Sequence, residues 1–251
     1  MTTRIKFLAA AVALASLHQG TTANAQEQAT LEEVLVTARK RSENVMEIPV
    51  SVSVVDQSLI QAGNLQSING LVNTTPGLKF NSAFGRQSDR PVVRGISAIQ
   101  TANELAGFFI DGVYVAGSLQ TFDLDSIARV EVIKGPQSAT FGRRTFSGAI
   151  NYVTLQPTDE LSGNVKLEAG SNGHQVLSGS ISDTLGNFGY RASLRDYKYD
   201  GDFKNTLAGG PNVGGEKSTS GNLALAYAFS ESTSLSLNVN YVDSDDEPYP
   251  V

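Results

Sequence analysis

The residue types that carry most covalent and metal chemistry are scarce in this chain. It has 251 residues, no cysteine and two histidines, so disulfides, thiolate metal sites and a catalytic cysteine are excluded. His18 lies in an N-terminal leader-like stretch. That leaves His174, in GSNGHQVLSG, for any Ser-His-Asp arrangement, and a surface turn accounts for it better. With one histidine left, a multi-histidine metal cluster is excluded. KGPQSATFG places Lys134 ahead of its glycine, so it is not a GxxxxGK[ST] phosphate loop. Asp243, Asp245, Asp246 and Glu247 are hard oxygen ligands, but their spacing is not that of an EF-hand, and a solvated loop accounts for them. No catalytic residue, cofactor or metal site is expected, and the chain is not expected to be an enzyme. What remains is the chemistry of backbone pairing. In LEEVLVTARK the centre is apolar and β-prone, with polar sequence on both sides. Such a segment near a chain end is an aggregation hazard unless something covers it. It reads as a strand left unpaired for a partner.

Upstream of it, MTTRIKFLAAAVALASLHQGTTANAQ reads as a secretory signal peptide. Arg4 and Lys6 form the positive region, Phe7 to Leu17 is an apolar stretch too short to span a membrane, and Ala23-Asn24-Ala25 is a small-residue cleavage site. Loss of Arg4 and Lys6 takes the formal charge from -6 two units lower. The mature chain is acidic, which argues against a nucleic-acid partner.

Two styles of sequence follow. From about residue 44 to 157 the pattern is mixed. Val50, Val52 and Val54 alternate with Ser51 and Ser53 as a half-buried strand. Asp56 caps a short helix that Gly63 ends, and Asn64 is placed to cap a second helix with Leu65, Ile68, Leu71 and Val72 on one face. Pro76-Gly77 stops it. PVVRGI is strand-like. GFFIDGVYVAG reads as a hairpin turning at Asp111-Gly112. Val130 to Lys134 forms a strand stopped by Gly135-Pro136. The loop QSATFGRRTF then leads into the strand SGAINYVT. This amounts to a compact α+β domain.

From about residue 161 the grammar is repetitive. Leu235, Leu237, Val239 and Tyr241 oppose Ser236, Asn238 and Asn240. Leu223, Leu225, Tyr227 and Phe229 oppose alanines. Phe188, Tyr190, Ala192 and Leu194 oppose Arg191, Ser193 and Arg195. Val165 and Leu167 oppose Asn164, Lys166 and Glu168. Leu177 and Ile181 oppose Ser178, Ser180 and Ser182. A soluble antiparallel sheet and a membrane barrel both fit such alternation. The small and charged polar faces, the aromatics toward segment ends, the tight DTLGNF turn against a long Gly-rich loop, and the signal peptide favour the barrel.

The order of these segments resembles the N-terminal part of a TonB-dependent outer-membrane receptor. The match runs from LEEVLVTARKR through IPVSVSVVDQSLI, TPGL, VVRGI and FFIDGVYV to IARVEVIKGPQSATFGR and GAIN. The family usually has Asn where Arg144 stands and a small residue where Phe146 stands. The resemblance implies an α+β plug domain followed by the first antiparallel strands of a transmembrane β-barrel. The divisions are a signal peptide over 1–25, a flexible N-terminus with the TonB box over 26–43, the plug over 44–157 and the start of the barrel over 158–251. It implies energised uptake across the outer membrane of a scarce nutrient, by default a ferric siderophore; haem, cobalamin and oligosaccharides serve relatives. TonB, with ExbB and ExbD, is the implied energy coupler. Strand addition is the plausible grip, with Val34, Leu35, Val36 and Thr37 as the binding residues.

Asn81, Phe84, Arg86, Gln87 and Gln100 lie in plug loops and are ligand-contact candidates. Arg94, Glu131, Arg143 and Arg144 are charged groups near strand ends, read either as polar plug–barrel contacts or as solvated charge. The residues after 160 supply about five spanning strands of roughly ten residues each. Five strands cannot close around such a plug, so the chain is expected to be a fragment of a longer receptor. A plug-containing binding module without a barrel is the rival reading. A signal-transducing receptor is disfavoured, because only Gln26 to Thr30 precede LEEVLVTARK in the mature chain.

Overall fold

The computed structural model of the protein describes residues 35–37, 41, 43–65, 68–81, 90–97, 105–116, 119, 121–203 and 213–247. The expected signal peptide and Val34 lie outside the described residues. Among those residues no helix is long and apolar enough to cross a membrane, which says nothing of strands.

The plug is built on a five-stranded mixed sheet. Its strands are β3 (Ser51–Asp56), β8 (Ile127–Lys134), β9 (Gly148–Thr154), β6 (Ala106–Ile110) and β7 (Val113–Val115), in the spatial order β3-β8-β9-β6-β7. β6 and β9 run parallel and the other pairs antiparallel. Two two-stranded ribbons accompany it: β1 (Leu35–Val36) with β2 (Glu43–Asn44), and β4 (Leu78–Asn81) with β5 (Arg90–Val93).

The central strands β8, β9 and β6 are buried on both faces, so they read as nearly continuous apolar runs rather than as clean alternation. One face carries Val55, Phe108, Val130, Val132, Ile150 and Tyr152 against Ile60, Ile68 and Leu71 of two short helices. The other carries Phe109, Ile133 and Ala149 against Val36, Ile48 and Phe141, with Val50, Val52 and Val54 packed alongside. The expected half-buried strand at Val50–Val54 is thus covered on its apolar side by the chain's own N-terminal segment.

The two helices are α1 (Gln57–Ala62) and α2 (Ile68–Val72). Asp56 caps α1 as expected, its carboxylate accepting from the Leu59 N–H at 2.8 Å. Asn64 also closes α1. It takes φ 44, while the N–H groups of Asn64 and Leu65 return to the carbonyls of Gln61 and Ile60. This is a Schellman closure of α1 with Asn64 in the left-handed position. The hairpin turn at Asp111-Gly112 forms with both residues at positive φ, 48 and 77, as its two-residue loop demands. The expected loop after Gly135-Pro136 contains a single helical turn, α3 (Ser138–Phe141), which delivers Phe141 to the second face.

The remaining strands form an open antiparallel meander: β10 (Ser162–Ala169), β11 (Gln175–Leu185), β12 (Phe188–Tyr199), β13 (Glu216–Ser230) and β14 (Thr233–Ser244). The alternation falls as the sequence predicts. Val165 and Leu167 are 77% and 75% exposed, whereas Ser178, Ser182, Arg191, Ser193, Arg195 and Ser220 are buried on the opposite face. An exposed apolar band on one face and a polar face turned inward is the arrangement of a lipid-facing wall.

Replacing Asp56 with Ala should raise amide exchange at Leu59 in α1 by the equivalent of about 0.5–2 kcal/mol, the range for a lost N-cap. Hydrogen-exchange mass spectrometry on the intact protein reads this directly, and unchanged protection would contradict the capping role.

Candidate functional site

The second face of the plug sheet explains where the N-terminal strand goes. Pairing across the sheet places Val54 opposite Glu131, Glu131 opposite Asn151, and Asn151 opposite Phe109. Two polar residues therefore sit mid-row between apolar neighbours, with Arg129 two residues along β8 on the same face. Glu131 is 0% exposed. A carboxylate so buried requires hydrogen-bond partners. They come from Thr37, whose N–H donates to Oε1 at 2.8 Å and whose hydroxyl donates to Oε2 at 2.9 Å. Arg129 adds Nε at 2.8 Å from Oε1, and Asn151 Nδ2 lies 3.4 Å from Oε2. Asn151 also donates to the Thr37 hydroxyl at 3.1 Å, and its side-chain carbonyl accepts from the Gly112 N–H at 2.9 Å.

Next to Thr37, Val36 is fully buried while Leu35 is 45% exposed. Leu35 pairs with Asn44 and Val36 with Glu43. The segment expected to stand unpaired is therefore docked: it has a strand partner within the chain, an apolar anchor and a polar anchor.

The same hairpin that reaches Asn151 also reaches the wall. Asp111 accepts from the N–H and hydroxyl of Thr154 at 2.9 and 2.8 Å, and from Asn238 Nδ2 of β14 at 3.1 Å. Asn238 also donates to the Thr154 hydroxyl at 3.0 Å. Beside these contacts a cavity of about 620 Å³ separates the hairpin from β14, lined among others by Ile110, Val113, Val115, Phe122 and Asn240.

A second plug–wall contact is formed by carboxylates at the 3-10 turn Leu124–Ser126, where Asp123 is the N-cap. Asp123 lies 3.8 Å from Arg195 Nε of β12. Asp125 lies 3.8 Å from Lys166 Nζ of β10 and accepts from Ser178 of β11 at 3.3 Å. Burial, followed by repulsion from Asp125, pushes the Asp123 carboxyl up to about 6, against the pull of Arg195. Sequence reasoning missed these residues. The available signal was DLDS preceding a strand, together with Lys166, Arg191 and Arg195 on the inward faces of β10 and β12.

The four charged residues predicted from sequence divide. Glu131 meets Thr37, Arg129 and Asn151 within the plug, not a wall strand, because its face of β8 is covered by the N-terminal segment. Arg144 donates to the Tyr114 hydroxyl of β7 at 2.6 Å and lies over its ring. It holds φ 67, a conformation that Asn adopts more readily than Arg, which accounts for the family's usual residue there. Arg94 is exposed at φ 52 beside the β8 end. Burial first and Arg94 second pull the Lys134 amine below its ordinary value. Arg143 is exposed. Asn81 ends β4 opposite Arg90 and is exposed. Phe84, Arg86, Gln87 and Gln100 lie outside the described residues.

Comparison with known proteins agrees with this geometry. The family model described as TonB-dependent Receptor Plug Domain matches residues 44–149. The vitamin B12 transporter BtuB of Vibrio vulnificus (strain CMCP6) is 30% identical over 186 residues, covering 71% of this chain and 30% of the relative. The pesticin receptor of Yersinia enterocolitica (serotype O:8) is 29% identical over 206 residues, covering 80% and 30% respectively. The chain thus spans about 30% of the length of these curated relatives. Among solved structures, the ferripyoverdine receptor of Pseudomonas aeruginosa superposes with a TM-score of 0.71 at 21% identity, over 84% of this chain and 27% of that one. The ferric yersiniabactin uptake receptor FyuA of Yersinia pestis gives 0.65 at 24% identity, over 71% and 29%. These two likenesses establish the fold.

The Asp123 contact has a definite pH sign. Folding raises this carboxyl above the ordinary range near 4, so its contribution to stability is complete below about 4 and is lost as pH rises through about 6. Asp123→Asn keeps the side-chain oxygen that caps the turn and removes the titration. The variant is expected to flatten the dependence of the melting temperature between pH 4 and 7; a slope identical to wild type would refute the assignment.

Proposed function

Because the chain belongs to the TonB-dependent receptor family, we propose that it supplies the plug and the first wall strands of an energised outer-membrane transporter for a scarce nutrient. The ligand class is a ferric siderophore. Relatives of the same fold are named for ferric yersiniabactin and ferripyoverdine. The similarity to a vitamin B12 transporter makes cobalamin the second reading. The divisions are a signal peptide over 1–25, the TonB-box segment over 26–43, the plug over 44–157 and the wall from 158, with export and cleavage near Ala25 delivering the protein to the outer membrane.

The observation that carries this reading is the placement of the plug. It sits against the polar face of strands whose apolar face is exposed, and a short strand docks at its N-terminal end through Val36 and Thr37. The outer membrane holds no ATP, so opening the plug draws on energy from elsewhere. Leu35, Val36 and Thr37, with Val34 before them, are the segment that TonB grips by strand addition, with ExbB and ExbD behind it. Asn81, Phe84, Arg86, Gln87 and Gln100 are the plug's ligand contacts. Arg94, Arg143 and Arg144 are polar contacts toward a closed wall.

Leu35→Pro removes a backbone donor and disfavours strand pairing in the gripped segment. Energised uptake is expected to be abolished while ligand binding at the cell surface stays at the wild-type level. Normal uptake by the proline variant at normal surface abundance would sink the coupling role.

A further inference from the structure

The contacts around Thr37 say how the N-terminal strand is held, an inference that rests on reading Leu35–Thr37 as the coupling segment. We propose that Glu131 is a positioning residue that holds this segment in its docked register, and that the segment becomes available to a partner by exchanging Thr37 away from the Glu131 carboxylate.

Among the described residues four donors surround that carboxylate, and two belong to one residue 94 positions away: the Thr37 N–H and the Thr37 hydroxyl. The hydroxyl is used in both senses, donating to Glu131 and accepting from Asn151 Nδ2. The Asn151 amide is in turn oriented by the Gly112 N–H on its oxygen. A threonine or serine at position 37 fits this arrangement, and a one-residue slip of the segment would break it. Side chains alternate along a strand, so the slip would also turn Val36 away from Ile133, Phe109 and Ala149. Glu131 thus fixes register as well as affinity.

Departure of Thr37 does not abandon the charge. Arg129 remains at 2.8 Å and Asn151 remains across the sheet. Two charge-assisted hydrogen bonds are lost, and water can replace them. A buried carboxylate stripped of every partner would oppose release strongly; one that keeps an arginine permits it. The holding contact is therefore firm enough to define one docked state and is poised for reversible exchange.

The chain contains no cysteine, which makes thiol accessibility a direct reporter. Val36→Cys places a thiol at the docked, fully buried position, and Ala149→Cys places one in the sheet beneath it. Maleimide labelling rates are measured in isolated outer membranes, on the intact protein without ligand or partner. Adding Glu131→Gln is expected to speed labelling at position 36 by about tenfold or more, the equivalent of one charge-assisted hydrogen bond, with position 149 still protected. Equal rates at position 36 with and without Glu131→Gln overturn the proposal. Should Glu131→Gln expose position 149 as well, Thr37→Val decides by the same comparison, since it removes one hydroxyl and leaves the Glu131–Arg129 pair in place: faster labelling at 36 alone supports the latch, and unchanged labelling overturns it. Labelling needs neither uptake nor a partner. A failure here is therefore distinguishable from a failure of the coupling reading, which the Leu35→Pro uptake experiment tests separately.

Discussion

A sheet that is apolar on both faces must be covered on both, and the plug meets that constraint in two different ways. One face of β3-β8-β9-β6 is sealed by α1, which is capped at both ends, and by α2. The other is sealed in part by Val36 and Ile48, contributed by the segment that precedes the sheet in sequence. Burial of a valine side chain contributes about 1.5–3 kcal/mol, which is a modest hold. The second face therefore carries a cover that is needed for a dry sheet and that, among the described residues, is anchored by Val36 and Ile48. The Glu131–Asn151 pair sits where that weakness would otherwise leave register undefined.

The boundary between plug and wall follows the opposite rule. Asp123, Asp125 and Asp111 face Arg195, Lys166, Ser178 and Asn238, and most of these are ion pairs or hydrogen bonds rather than packed hydrocarbon. Polar contacts exchange for water with little net change in free energy, whereas an apolar seam would expose hydrocarbon when parted. The interior of the plug is built to stay together, and its surface toward the wall is built to separate.

Much of this was legible in the sequence. The lipid-style faces of β10 to β14, the Asp111-Gly112 turn, the Asp56 cap and the strands around Val50–Val54 and Val130–Lys134 follow from local periodicity and turn chemistry. What escaped has a common cause. Periodicity tells which side of a strand is polar, but not whether a distant segment later covers that side. Glu131 in IARVEVIK has the pattern of a solvent-facing residue, and only the docking of Thr37 makes it a buried one. Asp123 and Asp125 were missed because their partners lie on strands more than forty residues away. The closure of α1 by Asn64 went unread because a residue between two helices has both a capping role and a left-handed role open to it.

The order of strands also sets how the plug would yield to a mechanical pull. Leu35 lies opposite Asn44, so tension entering at residue 35 and resisted beyond residue 44 acts on the same end of the β1–β2 ribbon. Its backbone pairs then part in sequence, like a zip, and not all at once in shear. The next element in line is β3, which lies at the sheet edge with β8 as its hydrogen-bonded neighbour. Its removal leaves β8-β9-β6-β7 contiguous. A small force applied at one end could thus strip the N-terminal portion stepwise while most of the sheet stays standing as a template on which it can re-form.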